Sequence, residues 1–280
     1  RSTLFPYTTL FRSGSCKMPI TQYLERNARQ WPDDIALVEL NPAAEAKSLT
    51  AWKEYDLTEP SAEGPYRRQI TWKVFDEKAN RTANALLARG ICKGDKVGIL
   101  LMNCLEWLPT YFGILKAGAV AVPLNFRYAA DEIQYCVDLA DIDILIFGPE
   151  FESRVSEILP TLSYKRLLFY IGDTCPKFAA NFTSETSNYS SRAPQTNVTD
   201  DDYAAIYFSS GTTGFPKAIL HRHRALMHSA EVEQNHHGQR KDDVFLCIPP
   251  LYHTGAKMHW FASLYTGGRA VQLPDRKSVV

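Results

Sequence analysis

Lys96-Val97-Gly98-Ile99-Leu100-Leu101-Met102, the Asn103-Cys104-Leu105-Glu106 that follows, and Leu115-Lys116-Ala117-Gly118-Ala119-Val120-Ala121-Val122-Pro123-Leu124 decide the fold class. From Lys96 to Met102 apolar residues follow one another without alternation, which predicts a strand buried on both faces. Asn103, with Glu106 three residues on, is a capping-box-like helix start. Gly118 ends that helix, and Ala119 to Leu124 is a second buried strand. Strand, helix and strand joined by short turns predict a parallel sheet with crossover helices.

The alternation extends in both directions. Thr71 caps a helix whose apolar face is Phe75, Ala79, Thr82, Ala83 and Leu86, and Gly90 ends it. Before it, Ile20, Tyr23, Leu24 and Trp31 have helical spacing and Ile35 to Leu40 reads as a strand. Residues 41–65, with Pro42, Pro60, Gly64 and Pro65, read as a loop. Downstream, a helix is expected over Asp131 to Ala140 and a strand from Ile142 to Phe147. Residues 172–202 are rich in Ser, Thr, Asn and Asp without apolar periodicity. They predict a structureless linker between two lobes, about 18–171 and 203–275. The second lobe opens with the strand Tyr203 to Phe208. Residues 1–17 and 276–280 do not join this periodicity and read either as a non-native leader and tail or as ordinary disordered ends.

Composition narrows the function. The chain has 280 residues, 45% of them hydrophobic, so it can bury a large core. Thirty-one basic residues balance thirty-one acidic ones, which argues against a chain built to coat nucleic acid or an anionic membrane. None of the six cysteines forms a C-x-x-C pair, and buried reduced thiols are expected. No stretch reaches the ~20 apolar residues that span a bilayer, so no transmembrane segment is expected and the cytoplasm is the expected location.

Directly after the strand at 203–208 comes Ser209-Ser210-Gly211-Thr212-Thr213-Gly214-Phe215-Pro216-Lys217. Two glycines three apart let the backbone turn and converge its N–H groups, while four hydroxyls and a lysine add donors and charge. Such a loop suits a polyphosphate. It is not the common P-loop, because Pro216 separates Gly214 from Lys217 and Ala218 stands where a hydroxyl would bind magnesium. A hydroxyl-rich turn without a ligand is the alternative reading.

This segment resembles the AMP-binding signature of the adenylate-forming superfamily, which includes acyl-CoA synthetases, peptide-synthetase adenylation domains and luciferases. Residues 115–125 are similar to the family's helix–glycine–strand core motif, and Pro249-Pro250-Leu251-Tyr252-His253-Thr254-Gly255-Ala256 to the motif lining its carboxylate pocket. The resemblance covers residues 19 to about 273. Ala218 departs from the usual glycine, which is tolerable if its φ is negative.

The resemblance implies an α/β fold of layered, mostly parallel sheets with flanking helices, here the first half of the large N-terminal domain of such an enzyme. It implies a carboxylic acid, ATP and coenzyme A as small-molecule partners, with Mg2+. The acid attacks the α-phosphorus to give acyl-adenylate and pyrophosphate, and a thiol then takes the acyl group. Ser209 would help hold Mg2+. Lys217, with Ser210, Gly211, Thr212, Thr213 and Gly214, would hold phosphate oxygens. His253 would border the acyl group, and Lys217 and His253 are the candidate catalytic pair. The family's Tyr-Gly-x-Thr-Glu segment, ribose-binding aspartate and late lysine are not found in these residues, so this segment by itself is expected to be inactive. An adenylation domain of a peptide synthetase and a non-catalytic nucleotide-binding module stand as alternatives.

All seven histidines fall between His221 and His259. On a strand, His221 and His223 would share a face. No cysteine stands at ligand spacing and no zinc pattern is recognisable, so His253 has the best functional claim. The run His221-Arg222-His223-Arg224 reads as a solvated strand-to-helix junction.

Overall fold

The computed structural model of the protein describes residues 18–40, 66–162, 167–209 and 216–273. The expected loop at 41–65, the leader and the tail lie outside these residues.

The chain opens with α1 (Ile20–Gln30), β1 (Ile35–Leu40), β2 (Arg67–Thr71) and α2 (Trp72–Ala88). The parallel core follows as β3 (Lys96–Leu100), α3 (Trp107–Lys116), β4 (Val120–Pro123), α4 (Ala130–Leu139), β5 (Ile144–Phe147), α5 (Glu152–Ile158) and β6 (Leu167–Tyr170). Then come β7 (Ala180–Asn181), α6 (Phe182–Ser187), β8 (Tyr203–Ser209), β9 (Lys217–Arg222), α7 (His223–His237), β10 (Val244–Cys247), α8 (Thr254–Thr266) and β11 (Arg269–Gln272).

Two sheets result. The larger runs β7-β6-β5-β3-β4-β8-β9, parallel except for the β8–β9 hairpin; the smaller runs β10-β11-β1-β2, parallel except for β1–β2. One apolar cluster joins Leu37 and Ala270 of the smaller sheet to Ile99 and Tyr207 of the larger, through Phe75, Phe112 and Trp260. Helices α2, α3 and α8 therefore lie between the sheets. A second cluster covers the other face of the large sheet with α4 and α5.

Helix α3 is buried along its whole length, which explains its apolar sequence. A Cβ on Gly113 would lie 2.4 Å from Thr82 Cβ, so α2 and α3 approach where only glycine fits. Lys116 ends α3 almost wholly buried, its ammonium donating to Glu25 and Asn80 at 2.8 Å and paired with Asp76 at 2.8 Å. Thr71 caps α2 as expected, its Oγ1 accepting from the Val74 N–H at 3.3 Å.

The linker expectation is corrected. Residues 172–202 contain β7 and α6, and their backbone carbonyls accept from Asn80, Arg81 and Asn84 of α2. Polar residues are ordered there by satisfying side chains of a neighbouring helix, a signal without periodicity. The lobe boundary does not divide the sheet either, since Ala121 of β4 pairs with Ala205 of β8. The cysteines also differ from expectation: Cys136 and Cys247 are buried, whereas Cys92 is exposed and Cys104 and Cys175 are partly so; all five are free thiols.

Candidate active site

The β8–β9 hairpin sets the mouth of the glycine-rich loop. Antiparallel register makes Ser209 the partner of Lys217, and Phe208 the partner of Ala218. Partnered side chains project from one face of a sheet, so Ser209 and Lys217 leave the hairpin on the same face. Residues 210–215, the expected phosphate cradle, lie outside the described residues. Ala218 sits in β9, and Asp141 alone among described non-glycine residues has positive φ. The departure from glycine is accommodated there.

Alternation along β8 puts Ala205, Tyr207 and Ser209 on the face toward the smaller sheet, while Ile206 and Phe208 pack on the opposite cluster. Helix α8 lies against the first face. His253 is its N-cap residue, an exposed side chain whose ring lies 4.5 Å from that of Tyr252. Tyr252 in turn meets Phe126 edge-on at 4.9 Å. Partial desolvation, with the positive charges of Lys257 and Arg127, lowers the His253 pKa and so favours its neutral form.

Asn103 does not cap α3. Its amide donates to the Pro249 carbonyl at 3.1 Å and its Oδ1 accepts from Leu251 N–H at 2.8 Å. Glu106 instead pairs with Arg68, which also binds Glu39. The Asn103 side chain is held at both its donor and its acceptor by the backbone of residues 249–251, in place of the helix start it was expected to cap. Asn103 thus fastens the end of β3 to the segment that carries His253.

Sequence reasoning passed over Lys257. It is fully buried on α8, one turn after His253, and no hydrogen-bond acceptor among the described residues reaches its Nζ. Three rings surround the nitrogen: Tyr207 at 4.0 Å, Trp107 at 4.9 Å and Tyr111 at 5.3 Å from their centroids. Burial pushes its pKa well below the usual lysine value. Only the interruption of an apolar helix by one lysine marked it in sequence. Lys257 links the two motifs, since Tyr207 lies two residues before Ser209 and Lys257 four after His253.

His221 and His223 do not share a face, because β9 ends at Arg222 and α7 begins at His223. Arg222 donates to the Asp201 carbonyl and Arg224 pairs with the Asp201 carboxylate, so the basic run is engaged within the chain.

The β8–β9 hairpin brackets the glycine-rich, hydroxyl-rich segment in an α/β domain, and α8, with His253 at its N-cap, packs on the Tyr207 face of β8 through Lys257. The model of the AMP-binding enzyme family matches residues 24–279, and the chain belongs to that family. It is 31% identical over 261 residues to crotonobetaine/carnitine--CoA ligase of Citrobacter koseri, covering 90% of this chain and 47% of the relative. It is 28% identical over 232 residues to medium/long-chain-fatty-acid--CoA/3-oxocholest-4-en-26-oate--CoA ligase of Mycobacterium marinum, covering 74% and 42%. The inhibitor-bound N-terminal domain of FACL13 from Mycobacterium tuberculosis superposes with a TM-score of 0.74 at 26% identity, over 93% of this chain and 58% of that one. The chain thus spans under half the length of these two curated relatives. No helix among the described residues is long and apolar enough to cross a membrane.

Proposed function

We propose that the complete protein is an AMP-forming acid–thiol ligase that activates a carboxylic acid, of fatty-acid type, and passes the acyl group to coenzyme A. The observation that supports this reading is the register that pairs Ser209 with Lys217 two residues beyond Tyr207, the ring on which Lys257 of α8 packs one turn after His253. The names of the relatives support coenzyme A as acceptor over a peptide-synthetase carrier. ATP and Mg2+ are the proposed co-substrate and metal, and the cytoplasm the proposed location.

The residues suit the task. A hydroxyl and an ammonium on one face of a hairpin can serve a metal-bound phosphate and a bare phosphate oxygen respectively. Mg2+, when bound, would neutralise phosphate charge, with Ser209 as its ligand from this chain. Lys217 and the loop residues Ser210, Gly211, Thr212, Thr213 and Gly214 would hold the departing pyrophosphate, where negative charge grows in the transition state. His253, whose surroundings favour the neutral ring, can accept or donate one hydrogen bond at the acid.

The test is acid-dependent exchange of labelled pyrophosphate into ATP by the complete protein, followed by acyl-CoA formation. Exchange with a fatty acid and thioester formation with coenzyme A are expected. Failure of every carboxylic acid to support exchange would overturn the proposal. Exchange with an amino acid, without transfer to coenzyme A, would favour the peptide-synthetase reading.

A further inference from the structure

On the far side of α8 from the hairpin, three side chains converge. Glu233 and His237 are four residues apart on α7 and so share a face. His259 reaches the same point from α8. Glu233 Oε2 lies 3.1 Å from His237 Nε2 and 2.9 Å from His259 Nδ1, and the three ligand atoms all fall within 4.8 Å of one another. The two imidazoles are 6.0 Å apart, and Phe245 stacks on the His259 ring at 6.2 Å. The geometry points to a transition-metal site of Zn2+ type built from Glu233, His237 and His259.

Three arguments carry it. A tetrahedral ion with ~2.05 Å bonds places its ligand atoms about 3.3 Å apart, close to the two distances observed. Little movement is then needed to admit the ion. The donor set, two imidazole nitrogens and one carboxylate oxygen, suits Zn2+, Co2+, Ni2+ or Cu2+ and not Mg2+, which takes oxygen ligands. This separates the site from the Mg2+ expected at Ser209. Finally, His237 is the last residue of α7, and the carbonyl end of a helix favours a cation. The Glu233 oxygen is shielded from solvent while both histidines remain partly exposed. That arrangement leaves one coordination position for water and gives the ion a way in.

Bound there, the ion would tie α7 to α8, the helix that begins at His253 and carries Lys257. It would act as a clip on the frame of the active site, outside the reaction itself.

The test uses the untagged chain, stripped with chelator and dialysed against ZnCl2 in excess Mg2+. One zinc retained per chain is expected, with the visible absorption of tetrahedral cobalt when Co2+ is substituted. Glu233→Gln, His237→Ala and His259→Ala should each weaken zinc binding by about tenfold or more. His236→Ala, on the same helix end, should leave it unchanged. Melting of each variant in chelator, matched to the parent, separates loss of ligation from loss of fold, and His259→Gln serves if His259→Ala melts low. No retained zinc, or retention insensitive to all three substitutions, would overturn the site, as would an equal loss with His236→Ala.

Discussion

Lys257 Nζ lies 4.0 Å from the centre of the Tyr207 ring, which ties α8 to the strand that leads into the glycine-rich loop. The nitrogen is fully buried, and no acceptor among the described residues hydrogen-bonds it. Cation–π attraction offsets part of the desolvation cost but does not replace a counter-ion.

Lys257→Met should therefore melt at the same temperature as the parent or higher at neutral pH. Because burial lowers the folded-state pKa, the unfolded chain binds the proton more tightly. The parent's stability should rise with pH up to the ordinary lysine value of about 10.4, and the gap to Lys257→Met should narrow. Thermal melts of both proteins from neutral to alkaline pH decide it. A gap that does not change with pH would mean a lysine that stays charged in the aromatic box.

Lys217→Ala in the complete protein should remove one charge-assisted contact, about 1.5–3 kcal/mol if desolvated. That is one to two orders of magnitude, about 1.4 kcal/mol for each factor of ten. The loss should fall on adenylation, measured by pyrophosphate exchange, and nearly spare thioester formation from supplied acyl-adenylate. Lys217 is exposed at the hairpin mouth, so the melting temperature should hold. Equal impairment of both half-reactions would remove it from the phosphate site.

His223 controls acid stability. Its ring is buried without a hydrogen-bond partner among the described residues, and burial lowers its pKa to about 4. Below the unfolded value of about 6.5, the unfolded chain takes up a proton that the folded chain refuses. The contribution is thus fully present above about pH 6.5 and is lost as pH falls toward 4, about 3 kcal/mol in all. Denaturant titrations at several pH values should show this slope, and His223→Leu should flatten it.

Lys116→Met should destabilise by about 3 kcal/mol, because it strands the Asp76 and Glu25 carboxylates that the ammonium now neutralises. Adding Asp76→Asn should recover part of the loss. A single variant as stable as the parent would mean that the carboxylates are fully solvated.

Val244, Leu246 and Ile248 alternate along and just past the outer strand of the smaller sheet, each about half exposed (51%, 49% and 51%). This apolar row, on an edge with no partner strand among the described residues, should bind a hydrophobic dye and promote association. Leu246→Lys should reduce both, as read by fluorescence and light scattering.

The sequence by itself determined the parallel core and the family to which the chain belongs. Uninterrupted apolar strands at 96–102 and 119–124, the Thr71 cap and the glycine stops are local signals, and the loop from Ser209 to Lys217 is a contiguous string. Each depends on neighbours within a few residues, so each was legible. Tertiary structure decided what depends on distant partners. It turned Asn103 from a cap into a clasp on Pro249 and Leu251, and it ordered residues 172–202 through side chains of α2. It also joined both expected lobes into one sheet at Ala121 and Ala205. Lys257 and the Glu233–His237–His259 cluster belong to the same class. Their chemistry comes from groups on separate elements, Tyr207 for one and α7 with α8 for the other, and no spacing along the chain encodes that meeting.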